Sequence, residues 1–170
     1  MKRLRVVAAL AAIFTLLFAG QANATVAATW TWTNVKSHLC LGVSGGHIFE
    51  GAKVIQWTCS GAADQGWFDI PLPMEPNEGV LIKNTVIGAG GYHYCLTSPN
   101  RVEGAQLVVT GCNEYFPPEQ TWHVQWVTNK GYLFTNRKTG WAMAVTGGST
   151  TRGAAIIQWR SNGGLEQHWT

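Results

Sequence analysis

Gln65-Gly66-Trp67, Gln120-Thr121-Trp122 and Gln167-His168-Trp169 are three copies of one Gln-x-Trp motif, spaced 55 and 47 residues apart. Each copy closes a stretch of similar design, which indicates one small unit repeated three times. The repeats cover about residues 29–74, 78–125 and 126–170, called the first, second and third units below. A unit of this length is too small to bury its own apolar face, so the three are expected to share one core.

The first and third units agree nearly position by position. Residues 40–46 are CLGVSGG and residues 142–148 are AMAVTGG, while residues 51–57 are GAKVIQW and residues 153–159 are GAAIIQW. The segments are short, β-branched or aromatic, and separated by Gly, Asn, Ser or Pro, which is typical of strands and turns. No window after the first 24 residues shows a sustained helical period. The sequence therefore predicts an all-β fold.

Residues 1–24 are predicted to be a secretory signal peptide. A basic start, MKRLR, precedes an apolar run over residues 6–19 and the small-x-small cleavage site Ala22-Asn23-Ala24. The apolar run is too short to span a bilayer as a helix, so we expect no membrane span and disfavour an uncleaved anchor. One domain, residues 25–170, remains and is expected to be secreted to an extracellular location.

The charge of the secreted chain argues against nucleic acid as a partner. Lys2, Arg3 and Arg5 are three of 12 basic residues, and their removal leaves 9 basic against 9 acidic residues. A chain with no net positive charge has no basic surface to neutralise a phosphate backbone. The abundance of Gly and the nine Trp residues favour a turn-rich β fold with aromatic binding surfaces.

Four cysteines in an oxidising compartment predict disulfides, and three pairings are possible. The repeat alignment selects Cys40–Cys59 and Cys95–Cys112, one bridge in each of the first two units. Free thiols or a metal site are the alternatives. In the third unit the two bridge positions are Ala and Ser, so both partners are absent together, which supports this pairing.

No cofactor or metal is expected. His38 and His93 each lie two residues before a cysteine, but no unit offers four ligands at zinc-like spacing, so we interpret both as repeat-equivalent strand residues. Enzyme motifs such as Gly-x-Ser-x-Gly and His-Glu-x-x-His are absent from the sequence, and we expect no catalytic activity. Glu75 and Glu78 would form a glycosidase-like pair only if the fold held them around a cleft.

The repeat Cys-Leu-x-Val, Gly-Ala-x-Val-Ile-Gln-Trp-x-Cys, Gln-x-Trp resembles the ricin B-type lectins, a family of β-trefoil carbohydrate-binding domains. The resemblance covers essentially all of residues 25–170. It implies three pseudo-symmetric four-stranded units with twelve short strands, six in a barrel and six in hairpins that cap it. It also implies a secreted lectin or free-standing carbohydrate-binding module whose partner is a mono- or polysaccharide.

The same resemblance separates two groups of tryptophans. It implies that the indoles of the three Gln-x-Trp motifs pack in the core and that the Gln supports the neighbouring turn. Trp57 and Trp159, at equivalent positions of the first and third units, are implied to be platforms under a sugar ring. A surface Trp that shields a hairpin is the alternative for both. Thr110 fills this position in the second unit, so that unit is expected to lack a stacking surface.

The sequence departs from the family where polar contacts to sugar are expected. Members that bind galactose usually have Asp two residues after the first Cys position, where this chain has Gly42, Thr97 and Ala144. The residues before the three motif glutamines are acidic, and a carboxylate there would be a substitute acceptor. The polar candidates of the first and third units are therefore Asp64, Gln65, Glu166 and Gln167.

The missing Asp residues favour an alternative function, a degenerate trefoil that acts as a protein-interaction or accessory subunit without sugar binding. A β-trefoil protease inhibitor is disfavoured by the internal Gln-x-Trp symmetry.

Overall fold

The computed structural model describes residues 29–72 and 79–170, and this part of the chain forms eleven short strands. They are β1 (Cys40–Val43), β2 (Ala52–Trp57), β3 (Trp67–Pro71), β4 (Val80–Ile87), β5 (His93–Thr97), β6 (Val108–Gly111), β7 (Thr121–Val127), β8 (Gly131–Asn136), β9 (Ala142–Val145), β10 (Ile156–Trp159) and β11 (His168–Trp169). Single 3-10 turns are the only helical segments among these residues. The predicted signal peptide, Glu75 and Glu78 lie outside the described residues.

Six extended segments close into a ring. Strand β3 pairs with β4, β4 with β7, β7 with β8, and β8 with β11, all antiparallel. Residues 30–34 complete the ring, because Trp30 bridges to Trp67 in β3 and Asn34 bridges to Trp169 in β11. This segment is the twelfth strand that the family resemblance implies, although it pairs only through isolated bridges. The two ends of the described chain therefore meet in one closed barrel.

The remaining strands form three hairpins that cap the barrel. They are β1–β2, β5–β6 and β9–β10, one in each unit. The hairpins also pair with one another, since β2 joins β6 and isolated bridges link Ile55 to Ala155 and Gln106 to Ile157. Six barrel segments capped by three mutually paired hairpins are a β-trefoil, so the predicted all-β fold is confirmed.

The core is organised around three indoles. Trp67, Trp122 and Trp169 are fully buried. Each ring N–H donates to the carbonyl of a hairpin strand 26 residues earlier, at 3.1 Å for Leu41, 3.0 Å for Leu96 and 3.3 Å for Met143. A buried indole needs such a partner, because an unpaired N–H in the core costs about 1–3 kcal/mol. These bonds tie each barrel strand to the hairpin of its own unit.

Three buried asparagines, which the sequence analysis missed, join the units. Asn34, Asn84 and Asn136 occupy equivalent barrel positions and are inaccessible to solvent. Their side-chain amides donate to the carbonyls of Glu166, Asp64 and Glu119, each the residue before a motif glutamine. A pattern in the sequence marks them, since each follows an apolar residue and one intervening residue, as WTN, IKN and FTN. Each amide thus joins the start of one unit to the end of another.

Both selected disulfides, Cys40–Cys59 and Cys95–Cys112, are formed, with Cα atoms 5.0 and 4.9 Å apart. The interpretation of the histidines is correct for His93, which begins β5, and wrong for His38. The backbone of His38 has φ 57° and lies in a tight turn whose N–H bonds the Asn34 carbonyl at 2.9 Å. This left-handed conformation is uncommon outside glycine and interrupts the strand before Cys40.

Candidate functional site

The first unit has a pocket of about 490 Å³ between its hairpin and the turn that leads to β3. Trp57 lies on one side, Asp64 and Gln65 on the other, and the Ser44–Gly46 turn is part of the wall. The third unit also contributes, through Gly153. The pocket therefore brings together three of the six residues predicted to bind sugar.

An equivalent pocket of about 380 Å³ lies in the third unit. Trp159, Glu166 and Gln167 line it at positions shifted by 102 residues from their counterparts in the first unit. Lys36, which belongs to the first unit, is also part of its wall. The remaining three predicted residues thus share this second cavity, and the two cavities are called the first and third pockets below.

Strand alternation explains why the two indoles face water. In β2, Val54 and Gln56 are buried while Trp57 is 46% exposed, as expected when successive side chains point to opposite faces. Trp159 is 41% exposed and follows the buried Gln158 in the same way. Each pocket therefore has a flat, apolar wall that is open to a ligand.

The glutamine before each exposed indole fixes the strand end. The Gln56 amide donates to the carbonyls of Ser149 and Thr151 at 3.0 and 2.9 Å, across the boundary to the third unit. Gln158 donates in the same way to Asn100 and Val102 of the second unit, at 2.8 Å each. The sequence analysis assigned no role to these glutamines, although both stand in the repeated Ile-Gln-Trp sequence.

A neighbouring unit supports each exposed ring. A methyl group placed on Gly153 would come within 3.5 Å of the Trp57 ring, and one on Gly104 within 3.2 Å of the Trp159 ring. The Arg152 guanidinium also lies 5.8 Å from the centre of the Trp57 ring, a cation–π contact. The exposed rings of Trp57 and Trp159, called the shelves below, are therefore each held in place by a loop of another unit.

The motif glutamines line the pockets while bonding their own turns. Gln65 donates to the Thr58 carbonyl at 2.9 Å and accepts from the N–H of Ser60 at 2.9 Å. Gln167 donates to the Arg160 carbonyl and accepts from the N–H of Asn162, also at 2.9 Å each. Both side chains are almost completely buried, at 1% and 0% exposed, so they support the turns behind the pockets.

Asp64 places a carboxylate beside the position where the family usually has Asp. A methyl group on Gly42 would lie 3.0 Å from Asp64 Oδ2, so this carboxylate lies directly beside the Gly42 backbone. The same oxygen accepts from the Val43 N–H at 3.3 Å. One backbone bond leaves most of the lone pairs of an ionised carboxylate available.

Glu166 is oriented differently. Its carboxylate accepts from Asn162 Nδ2 at 3.1 Å and turns toward the backbone of Gly164. The third pocket differs from the first in two ways. Glu166 has one methylene more than Asp64, and Ala144 has a side chain where the first pocket has Gly42. Equivalent residues of the same charge therefore present different surfaces.

The second unit has no open shelf at the corresponding place. Thr110 Oγ1 lies 2.7 Å from Thr97 Oγ1, and Gln120 donates to Thr110 Oγ1 at 2.7 Å. Glu119, the equivalent of Asp64, forms an ion pair with Lys138 at 3.7 Å. The polar groups at this place thus bond one another or, for Glu119, Lys138 of the third unit.

Two further properties concern the described part of the chain. Within residues 29–72 and 79–170, no three His, Cys, Asp or Glu side chains are grouped so as to hold a metal ion together. The same residues form no helix with the length and apolar character needed to cross a membrane.

The sequence of residues 28–169 matches the family described as the ricin-type beta-trefoil lectin domain. No curated protein matches the chain in sequence.

Three solved structures show the likeness in fold. The designed 3-fold symmetric protein ThreeFoil has TM-score 0.73 and 24% identity, over 83% of this chain and 95% of its own. The Macrolepiota procera ricin B-like lectin, in complex with lactose, has TM-score 0.65 and 20% identity, over 85% and 94%. The exo-beta-1,3-galactanase 1,3Gal43A from Clostridium thermocellum has TM-score 0.73 and 24% identity, over 84% of this chain and 29% of the enzyme.

Proposed function

Because the chain belongs to the ricin-type beta-trefoil lectin domain family, we propose that it is a secreted carbohydrate-binding protein that acts without catalysis. Membership of this family and the sugar-bound lectins of similar fold support a carbohydrate-binding role. The finer assignment is that sugar rings stack on Trp57 and Trp159. The observation that carries it is that both indoles are nearly half exposed and each lines a pocket that also contains a carboxylate.

The chemistry of a sugar fits such a wall. One face of a pyranose is mostly C–H and is favourably desolvated against a flat ring, while its hydroxyls need polar partners at the edge. In the first pocket, Asp64 accepts from hydroxyls in place of the Asp that the family usually has at the position of Gly42. Gln65 and Gln167 are buried and bond the backbone of their own turns, so they shape the pocket wall, and Glu166 contributes to the third pocket through its remaining lone pairs.

Binding without catalysis is supported by the carboxylates of the pockets. Glycoside hydrolysis generally requires two carboxyl groups placed around one glycosidic bond. Asp64 is the one carboxylate among the described residues that line the first pocket, and Glu166 is the one in the third. Each pocket thus has an acceptor for hydroxyls but lacks the paired arrangement.

A glycan array tests the proposal. The protein from Thr25 onward should bind at least one class of glycan, and Trp57→Ala with Trp159→Ala should abolish that binding. Trp126→Ala is the matched control, because Trp126 is 58% exposed but lies on the barrel hairpin β7–β8 away from both pockets. Loss of glycan binding in the control, or its survival in the double variant, would contradict the stacking role.

Secretion is part of the proposal. It is supported by the pattern of residues 1–24 and by the two disulfides, which persist in oxidising compartments. Expression of the full chain in a secreting host should release a protein whose first residue is Thr25, as N-terminal sequencing of the culture medium will show. Retention of the intact chain inside the cells would contradict this part.

A second candidate function is protein interaction. Trp30 (49% exposed), Trp126 and Tyr132 form a run of aromatic rings on the barrel, connected through Trp32, with ring centres 5.0 to 6.1 Å apart. Exposed aromatic patches mark interaction surfaces. A silent glycan array together with a stable partner whose binding is lost in Trp126→Ala would favour this function over the first.

A further inference from the structure

The two pockets place opposite charges at the same point. Gly46 and Gly148 are equivalent residues in the turns that form one wall of each pocket. A methyl group on Gly46 would lie 3.8 Å from Asp64 Oδ1, whereas one on Gly148 would lie 2.5 Å from Lys36 Nζ. Beside this turn the first pocket thus has a carboxylate oxygen and the third an ammonium group, while the carboxylate of the third pocket, Glu166, is bonded to Asn162.

Closure of the barrel brings Lys36 into the third pocket. It lies two residues after Asn34, whose side-chain amide donates to the carbonyls of Glu166 and His168 at 3.0 and 3.2 Å. The equivalent residues of the second and third units are Val86 and Lys138. The position two residues after the buried asparagine is therefore part of the repeat, and it is Lys in the first and third units and Val in the second.

The carboxylate that lines the third pocket with Lys36 has another partner. Lys138 pairs with Glu119 in the second unit, but the corresponding carboxylate of Glu166 is bonded to Asn162. Glu103, beside the Trp159 shelf, pairs with Arg160 at 3.2 Å. Among the described residues, no carboxylate forms an ion pair with Lys36. The lining of the third pocket therefore includes an exposed indole and an ammonium group that has no ion pair within the described part of the chain.

We infer that the third pocket binds a sugar that carries an anionic group, the carboxylate of a uronic acid or a sulfate ester, while the first pocket binds neutral sugar. This inference rests on the proposed stacking of sugar on both indoles. A ring stacked on Trp159 directs its charged substituent to Lys36 Nζ, which forms a charge-assisted bond with it. In the first pocket the Asp64 carboxylate lies at this point, where it repels the same substituent and accepts from neutral hydroxyls, whereas the Glu166 carboxylate of the third pocket is turned to Asn162 and Gly164.

Matched sugars and single-pocket variants test the inference. Trp57→Ala isolates the third pocket, and Trp159→Ala isolates the first. The probes are lactose and 3′-sulfated lactose, followed by the methyl glycosides of galactose and galacturonic acid, so that the sulfate and carboxylate sources are distinguished. The Trp57→Ala variant should bind the anionic member of at least one pair about tenfold more tightly, and Trp159→Ala should prefer the neutral member.

Removal of the ammonium group then identifies Lys36 as the determinant. In the Trp57→Ala background, Lys36→Gln should lower affinity for the preferred anionic probe about tenfold and leave its neutral partner unchanged. Lys36→Arg should retain the preference. Lys138→Gln is the matched control, because it removes the same charge from the equivalent position, where Glu119 already pairs with it. Added salt should weaken only the anionic probe, through screening of an exposed charge.

The outcomes separate the inference from the proposed function. Equal affinity for the neutral and anionic probes in Trp57→Ala, no binding of either, or equal losses in Lys36→Gln and Lys138→Gln would overturn the charge assignment while glycan binding at the first pocket persists. A wild-type protein that binds no glycan, or whose binding survives loss of both indoles, would instead remove the proposed function and the inference with it.

Discussion

The second and third units differ from the first in opposite ways. The second keeps its disulfide, Cys95–Cys112, but has Thr110 where the other units expose an indole. The third exposes Trp159 with no disulfide, since Ala142 occupies one of its bridge positions. Both nevertheless bury a motif indole, and its N–H donates to the carbonyl at the equivalent position of the hairpin. The scaffold and the pocket are therefore separable features of one repeat.

The largest expected effect concerns the buried indoles. Trp122→Ala should lower the free energy of unfolding by about 3–5 kcal/mol, because it leaves a cavity at the centre of the shared core. Trp159→Ala should cost less than about 1 kcal/mol, since its ring is already partly in water. Urea unfolding followed by circular dichroism measures both values. If Trp122→Ala does not fold, Trp122→Phe should still lower the free energy of unfolding more than Trp159→Ala does. Equal losses of stability would refute the division between buried scaffold indoles and exposed pocket indoles.

Removal of the second unit's bridge should have the next largest effect. Cys95→Ser with Cys112→Ser should lower the free energy of unfolding by about 3 kcal/mol, the scale for a loop of this size. Glycan affinity of the first and third pockets should stay within twofold of wild type, as titration calorimetry will show. A large loss of affinity would mean that the bridge shapes the pockets as well as the scaffold.

A pH effect distinguishes the first unit from the second at one barrel position. Asp69 in β3 corresponds to Val124 in β7, and burial raises the pKa of the Asp69 carboxyl from 3.8 to about 6. Its Oδ1 has no hydrogen-bond partner in the described structure. The unfolded chain ionises first as pH rises, so the stability of the folded state falls between about pH 3.8 and pH 6 and then levels off.

The comparison of Asp69 with an uncharged residue tests this. Above pH 6 the deficit is at most about 3 kcal/mol, from roughly two pKa units at 1.36 kcal/mol each. Asp69→Asn should remove the acidic-range slope and be more stable than wild type at pH 7, although its amide still lacks a partner. Thermal unfolding at half-unit steps from pH 3 to pH 8 measures the difference, and parallel curves for the two proteins would disprove the assignment.

The smallest expected effect is that of substitutions that add a binding site to the second unit. Thr97→Gly with Thr110→Trp removes the threonine pair that bonds within the second unit and adds the missing shelf. The stoichiometry of neutral-sugar binding should rise by one relative to wild type, with weak affinity at the new site because Glu119 stays paired with Lys138. Titration with a neutral monosaccharide measures it. If the stoichiometry is unchanged although fluorescence quenching shows that the introduced indole is exposed to solvent, an exposed indole alone is insufficient for sugar binding.

Much of the fold was predictable from the sequence because each repeat contains the same short local motifs. The three Gln-x-Trp motifs predicted the units, the repeat alignment selected one disulfide in each of the first two units, and the joint absence of both cysteines from the third unit supported that pairing. The apolar-x-Asn pattern, also present in each unit, was overlooked because an isolated Asn reads as a turn signal. His38 was misassigned because its left-handed backbone depends on the turn it closes.

The repeat pattern alone predicts which indoles of the Gln-x-Trp motifs are buried, which cysteines pair, and that two further indoles occupy equivalent positions in the first and third units. The charge inside each pocket follows only from the folded arrangement. Asp64 and Glu166 are both acidic and equivalent, yet one lies beside Gly42 and the other turns to Asn162. Lys36 reaches the third pocket because the barrel closes residues 30–34 against β11. Side-chain direction and contacts between distant segments exist only once the ring is closed, so no local pattern encodes them.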